Sequence, residues 1–447
     1  MSKAIKPGIR GTKSRFLSTF AYMRDPYGSF DKWKERFGKT FLIRALNGDV
    51  YATANRENVK RIFAAKHDAV GQFAVETTRP LLGGQSVFLA EGEQHRLERA
   101  LLLPSFHGEL IKDTADTIER VAASATDTWE PGDNVRIMDV ALDISLEVIL
   151  RVVFGLQTGE QIVKYKQTIT KFVKSFHPVL AFTKLFQRPL FGLSPWNRFV
   201  AARAEFDQMI KQEMELRRKG NDAKQRTDLL SRLLTATYED GSRISDDGIR
   251  DQLVTLLLAG HETTQIAMSW AMSWLYRNPD VLTQLTHELD NDDMGSVVHH
   301  SKLLNGVCNE ALRLNPILPD VVRTLKKPLE FEEGTIPTGK TVAVATYLVH
   351  TDPEIYPEPL EFIPSRWFDR NFKPYEFMPF GGGIRRCIGA ALAVLEIKIV
   401  VATFCRDLRF ELPHDAPATE IVHRRNLTIA PKSGIPLVYL GRKNSSV

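Results

Sequence analysis

The stretch Ser245–Tyr276 reads as one uninterrupted helix, and few folds can house it. At about 1.5 Å per residue it makes a rod of roughly 45–50 Å, long enough to cross a large domain. Ser245 suits an N-cap, and Asp246 and Asp247 fall in the first turn, where negative charge is favoured. Leu253-Val-Thr-Leu-Leu-Leu258 is apolar on all sides, so the middle of the rod is buried. Into that middle the chain puts Ala259-Gly-His-Glu-Thr-Thr264. Gly260 costs about 1 kcal/mol there relative to Ala, and a buried Glu262 and Thr263 cost more unless paired. Local rules broken inside a core helix mark a site. His261-Glu262 is not half of a zinc-protease motif, because that motif needs a second His where Gln265 stands. Thr263, taken alone, could simply bond back to a carbonyl of the preceding turn.

The second constraint is Phe380-Gly-Gly-Gly-Ile-Arg-Arg-Cys-Ile-Gly389. Three consecutive glycines let a backbone fold tightly and lie close to a flat ligand. Ile388–Val400 reads as a largely buried helix. Cys387 is therefore at a helix N-terminus, where the dipole favours thiolate. A lone Cys is most often a buried structural residue, but the decapeptide matches Phe-x-x-Gly-x-Arg-x-Cys-x-Gly at Phe380, Gly383, Arg385, Cys387 and Gly389. The loop resembles the haem-binding loop of the cytochrome P-450 family.

Three further stretches carry the same resemblance, in order along the chain. Ala259-Gly260-His-Glu262-Thr263-Thr264 is similar to the family's oxygen-activation motif. Glu310-x-x-Arg313, weak by itself because such pairs occur on many helices, is closed by Pro316 and resembles the family's structural Glu-x-x-Arg. Arg366 matches the arginine to which that pair locks. His95 and Arg99, four apart on one helix face and followed by Leu103-Pro104-x-Phe106, resemble the helix that binds haem propionates. The resemblance implies a mainly α fold with small β-sheets, as one domain over residues 1–447. A long central helix and a proximal cysteine loop would sandwich haem b.

It further implies a haem-thiolate monooxygenase, with Cys387 as iron ligand and Thr263 and Glu262 delivering protons. Phe380, Gly381, Arg385, Gly389, Ala259, Gly260, His95, Arg99 and Arg323 would hold the cofactor. Gly260 would let the long helix open to make room for O₂. The reaction would insert one oxygen atom into a C–H bond or across a C=C bond. Two electrons would come from a separate ferredoxin or flavodoxin and its reductase. A cluster of Arg385, Arg386 and Lys398, with Arg96, would steer such an acidic partner. A peroxide-driven peroxygenase and a non-catalytic haem sensor are the alternatives. The intact Glu262-Thr263 pair speaks against the first, and a sensor has no use for Thr263.

Composition adds limits. A formal charge of +5 neither demands nor excludes a nucleic-acid or acidic partner, and no nucleic-acid role is expected. Cys308, Cys387 and Cys405 show neither CxxC spacing nor a disulfide framework, which fits a reducing compartment and a cytoplasmic monomer. Met1–Tyr22 is basic, broken by Pro7, Gly8 and Gly11, and too polar for a signal peptide or membrane span, so the chain resembles the soluble bacterial type.

Phe30–Phe37 and Arg56–Ala65 read as helices, with a hairpin around Asn47-Gly48 between them. Ala69–Gly92 reads as a long loop, and Lys219–Asp228 and Asp290–His300 as surface loops. Phe176–Trp196 is apolar without a clean period, open to a membrane-surface or interface role; the resemblance makes it the roof of a substrate pocket. Val87, Phe88, Leu256, Leu318, Val321, Val322 and Leu427 are the expected substrate wall. All are apolar, so a terpenoid, fatty acid or steroid would bind mainly by burial. Asp320 is expected to face away.

Overall fold

The computed structural model describes residues 8–73, 75–106, 114–176, 187, 194–220, 226–425 and 427–443. Most of the Phe176–Trp196 stretch lies outside the described residues. The chain divides into two compact units. The first comprises Met1–Phe73, Ile118–Leu142 and Thr263–Val447; the second comprises Ala74–Thr117 and Asp143–Glu262. The long helix runs unbroken over Asp246–Arg277, with Thr263 the first of its residues to count in the first unit. Ser245 caps it, accepting the Gly248 N–H on Oγ at 3.0 Å.

In the first unit a five-stranded sheet runs in the order Thr40–Ala45, Gly48–Thr53, Thr341–Val344, Val321–Leu325, Val70–Gly71. The first two strands pair antiparallel with Ala45 opposite Gly48, so Leu46 and Asn47 form the turn. That is one residue earlier than the Asn-Gly signal predicts, and Gly48 itself pairs at φ +128°. Phe30, Phe41, Val59, Val342 and Leu348 are fully buried around this sheet. A smaller sheet of Asn134–Arg136, Pro436–Arg442 and Leu408–Glu411 packs its Phe410 and Tyr439 around Trp129.

The second unit is helical and is held by buried polar contacts of the long helix. Asp251 Oδ2 accepts the Gln85 N–H at 2.9 Å, Gln252 Oε1 accepts the Val87 N–H at 2.9 Å, and Thr255 Oγ1 lies 2.7 Å from Ser86 Oγ. Gln252 also donates to the Gln85 carbonyl and to the Glu98 carboxylate. The chain before this pinned loop departs from the sequence reading. Val70–Gly71 is a strand and Val75–Leu82 a helix, whose periodic signal is broken by Pro80 inside it. Asp290–His300 also departs: Met294–His300 is a helix capped by Asp293, with Val297 and Val298 buried. Asp228 is not a loop residue either. It caps Leu229–Thr235 and accepts from the buried Arg217 at 2.9 Å.

Back in the first unit, Glu310 and Arg313 are wholly buried on the helix Lys302–Leu314. Arg313 donates to both carboxylate oxygens of Glu310 at 2.8 Å. Arg366 and the Trp367 indole donate to the same carboxylate at 2.7 and 2.9 Å. The remaining guanidinium hydrogens fasten backbone: Arg313 reaches the carbonyls of His350, Pro359 and Glu361, and Arg366 those of Pro357 and Glu358. His350 Nε2 in turn accepts the Met378 N–H at 2.9 Å, just before the cysteine loop.

Two predictions follow from this cluster. Glu310→Gln leaves two buried guanidiniums without a carboxylate and should lower unfolding stability by about 3–5 kcal/mol; a denaturant midpoint change equivalent to less than about 1 kcal/mol would refute the assigned role. Burial first, and the Arg313 charge next, push the His350 imidazole down to about 3. Because the folded pKa lies below the unfolded value, the folded state gives up stability as pH falls from about 6.5 towards 3, at up to about 1.4 kcal/mol per unit. The stability advantage of the wild type over His350→Gln should therefore shrink by about 2–3 kcal/mol between pH 7 and pH 4.5. A gap that is flat across this window contradicts it.

Candidate functional site

The cysteine loop is built by its own backbone. Gly381 N–H donates to the Met378 carbonyl at 2.9 Å, and Cys387 N–H reaches back to the Phe380 carbonyl at 3.0 Å. Gly381 and Gly383 both sit at φ +66°, a conformation that side chains disfavour. At Gly382 a Cβ would come within 2.4 Å of the Phe63 ring, and at Gly383 within 2.1 Å of the Phe63 carbonyl oxygen. The glycines thus answer to a protein neighbour, on the helix Arg56–Ala64. Gly389 meets nothing within 4 Å and serves as N-cap of the helix Ala390–Asp407. Cys387 is exposed, whereas Cys308 and Cys405 are buried, which pushes each of those thiols up to about 12. Among the described residues no group of three or more His, Cys, Asp and Glu gathers to hold a metal ion, so a metal here would rely on ligands supplied with it.

Arg323 is on the strand Val321–Leu325 of the same unit. Its guanidinium is buried, and it donates to the Val322 carbonyl at 2.9 Å. Burial, and then the like charge of Arg385, push its pKa down to about 10. Among the described residues no carboxylate pairs with it. A buried cation left without a counter-charge is costly, so this place fits a ligand that brings an anion. Sequence alternation along the strand sets Val321 and Arg323 on one face and Val322 on the other. Val321 Cγ2 is 3.8 Å from where a Cβ of Gly381 would stand, so that face meets the cysteine loop. Two residues expected to share a wall therefore point in opposite directions.

The other expected positions are distributed as follows. In the first unit, Thr263 is half-buried, while Leu318 and Leu427 are exposed, Leu427 in the turn of the hairpin Val422–Pro431. Asp320 does not face away: it accepts from the Tyr22 hydroxyl at 3.0 Å, and burial raises its pKa. In the second unit, Val87 is buried and fixed by Gln252, Phe88 is exposed, and Leu256 is half-buried. His95 is buried and Arg99 half-buried on the helix Gly92–Leu102. Ala259 is exposed, Gly260 and Glu262 are half-buried, and His261 Nδ1 lies 2.7 Å from the Leu257 carbonyl. The helix does not open at Gly260. The room left by the missing Cβ is taken by Ile149, whose Cδ1 would be 2.8 Å from it.

The expected cationic face also changes. Lys398 is largely buried, its ammonium donates to the Val298 carbonyl, and burial lowers its pKa. Arg96 is engaged by Glu93 and Glu239. Arg386 remains exposed beside Cys387. Phe63, His350 and Gln252 escaped the sequence reading. Only Gln252 left a trace there, as a polar residue in an apolar helix.

A family model described as Cytochrome P450 matches residues 12–438. Putative cytochrome P450 138 of Mycobacterium tuberculosis is 32% identical over 432 residues, covering 96% of this chain and 95% of the relative. Putative cytochrome P450 135A1 of the same species is 30% identical over 447 residues, covering 98% and 95%. Among solved structures, the retinoic acid bound cyanobacterial CYP120A1 superposes with a TM-score of 0.84 at 22% identity, covering 97% of this chain and 99% of that one. The heme domain of a cytochrome P450DA mutant also scores 0.84 at 22% identity, covering 98% of each chain. With its mainly helical fold and small sheets, the chain belongs to the cytochrome P450 family and is a haem-dependent oxidoreductase of the monooxygenase kind.

Proposed function

We propose that this protein hydroxylates or epoxidises a small apolar substrate, a terpenoid before a fatty acid or steroid, with electrons from a separate ferredoxin or flavodoxin and its reductase. We read residues 1–447 as one functional domain acting as a monomer in the cytoplasm; the span of the family model across both units supports the single domain, and the spacing of Cys308, Cys387 and Cys405 fits a reducing compartment. Haem, when bound, supplies an iron at which O₂ is reduced and from which one oxygen atom passes to the substrate.

The chain's residues do the rest. Cys387 would bind the haem iron through its sulfur, carried on a loop whose glycines and backbone bonds fix its place and followed by a helix N-terminus that favours negative charge. Phe380, Gly381 and Gly389 shape that loop. Arg323 and Arg385 would bind the propionates, and the family pattern gives His95 and Arg99 the same task. The family pattern assigns Ala259 and Gly260 to the cofactor as well; of the two only Ala259 is exposed, since Ile149 takes the place of a Gly260 Cβ. Glu262, half-exposed, takes protons from solvent, and Thr263, the next residue on the helix, holds one for delivery. Val87, Phe88 and Leu256 in the second unit and Leu318, Val321 and Leu427 in the first are the apolar positions we assign to the substrate, with little to orient a polar one; Val322, on the opposite face of its strand from Val321, leaves that set. Arg386 is the exposed cation beside Cys387 that an acidic electron donor would meet.

The observation that carries the reading is Arg323, buried beside another cation on the strand that meets the cysteine loop. Arg323→Leu should weaken haem retention by about tenfold or more, since a charge-assisted contact is lost, while the thermal midpoint of the apoprotein stays level or rises. A fall in apoprotein stability with haem retention unchanged would refute the assignment. The reaction itself is tested on haem-loaded protein with a ferredoxin, its reductase, O₂ and a terpenoid panel. The expected result is an oxygenated product, a reduced carbon monoxide spectrum of the thiolate type, and loss of that spectrum in Cys387→Ser. A thiolate-type spectrum surviving in Cys387→Ser, or turnover only with peroxide, overturns it.

A further inference from the structure

The helix Arg15–Arg24 is amphipathic the wrong way round for a free surface helix. Its inward side is polar or amphipathic. Ser18 is its one buried residue, and Thr19 Oγ1 accepts the Leu46 N–H at 3.0 Å. Tyr22 stacks on Trp33, lies edge-on to Phe30 and donates to Asp320. Its outward side carries Phe16, Phe20 and Met23, spaced i, i+4, i+7 and so on one stripe, with Leu17 beside them. Phe16 is 66% exposed, Leu17 67% and Phe20 57%, and the neighbouring turn adds Leu46 at 64%. The inner face is already packed, and among the described residues nothing covers the exposed side chains of this stripe.

The exposed charge next to the stripe in sequence is mainly basic: Arg10, Lys13 and Arg24 are exposed, Asp25 follows, and Arg15 pairs with Asp49 and donates to the Ala45 carbonyl. In sequence, Lys3, Lys6, Arg10, Lys13, Arg15 and Arg24 precede the first acidic residue, Asp25. These six cations exceed the +5 of the entire chain. A two-fold contact with a second copy would set this basic patch against itself. An anionic bilayer surface offers the opposite charge and an apolar layer in one place. No helix among the described residues is long and apolar enough to cross a membrane, so the helix would lie in the interface plane.

We propose that the outward face of Arg15–Arg24, with Leu46 beside it, is a docking surface for anionic lipid bilayers, Phe16, Phe20 and Met23 entering the acyl boundary while Arg10, Lys13 and Arg24 meet headgroups. Docking of this kind is peripheral and reversible, and it holds whatever the substrate is. The haem-loaded full-length protein is sedimented with sucrose-filled vesicles of phosphatidylcholine, with and without about one third phosphatidylglycerol. Partitioning onto the anionic vesicles should exceed that onto neutral ones by about tenfold or more, and should fall towards the neutral value in about 0.5 M salt. Phe16→Ser/Phe20→Ser should lose most of the binding. Lys13→Gln/Arg24→Gln, which leaves the apolar stripe intact, should lose the preference for anionic lipid. Both pairs are exposed, so circular dichroism should be unchanged, and the charge pair keeps the test informative if the serine pair misfolds. Equal binding of wild type and both variants, or no binding to either vesicle, overturns the proposal. So does a wild type that light scattering shows as a dimer which Phe16→Ser/Phe20→Ser dissociates, since a second copy then covers the face.

Discussion

A single carboxylate, that of Glu310, fastens the part of the first unit from which the cysteine loop emerges. It is wholly buried and accepts from two guanidiniums, an indole and the Ile363 backbone N–H. A buried ion pair is poor evidence for stability as such, because desolvation offsets most of the attraction. What it supplies here is position. Each guanidinium, once neutralised, has hydrogens left over, and all of those described go to backbone carbonyls between His350 and Glu361. That irregular segment has no ladder to hold it. From it the constraint passes through the His350 ring to Met378, and from the Met378 carbonyl to Gly381. The exposed residue Cys387 is thereby tied to a buried charge cluster far away in sequence.

The glycine run shows that one residue type can satisfy two demands. The prediction that it lets the backbone approach a flat ligand invokes bare backbone on one side. The Phe63 ring and carbonyl require it on the other, at Gly382 and Gly383. A substitution there would disturb packing against Arg56–Ala64 whether or not a cofactor is bound, so loss of haem in such a variant says little about contact with haem. Arg323 is the cleaner probe, because its charge has a cost in the protein alone.

Much of this was legible in the sequence because the signals are local. The cap at Ser245 and the Glu310–Arg313 spacing with Arg366 rest on residues within a few turns of one another or on a motif of fixed order. What escaped depends on neighbours distant in the chain. Val75–Leu82 is a helix despite Pro80, and Met294–His300 hides behind Asp292 and Asp293, which read as loop although Asp293 caps the helix. Lys398 looks like a surface cation until the Val298 carbonyl takes its ammonium. Gly260 looks like a place for the helix to open, yet Ile149 fills the space. For Lys398 and Gly260 the residue was read correctly, and the partner that decides its meaning lies on another element.

Arg323 and the helix Arg15–Arg24 break the same rule from opposite sides. One places a charge where apolar groups belong, and the other places apolar groups where charge belongs. Folding alone rewards neither, since the first adds a desolvation cost and the second leaves apolar area in water. A group that binds only the folded state stabilises it by mass action, so an anion reaching Arg323 would repay the first cost when it binds. A surface that takes up Phe16 and Phe20 would do the same for the second. The proposed haem site and the proposed docking face are thus the two places where something other than the chain would complete the protein: an anion inside, an apolar layer with negative charge outside.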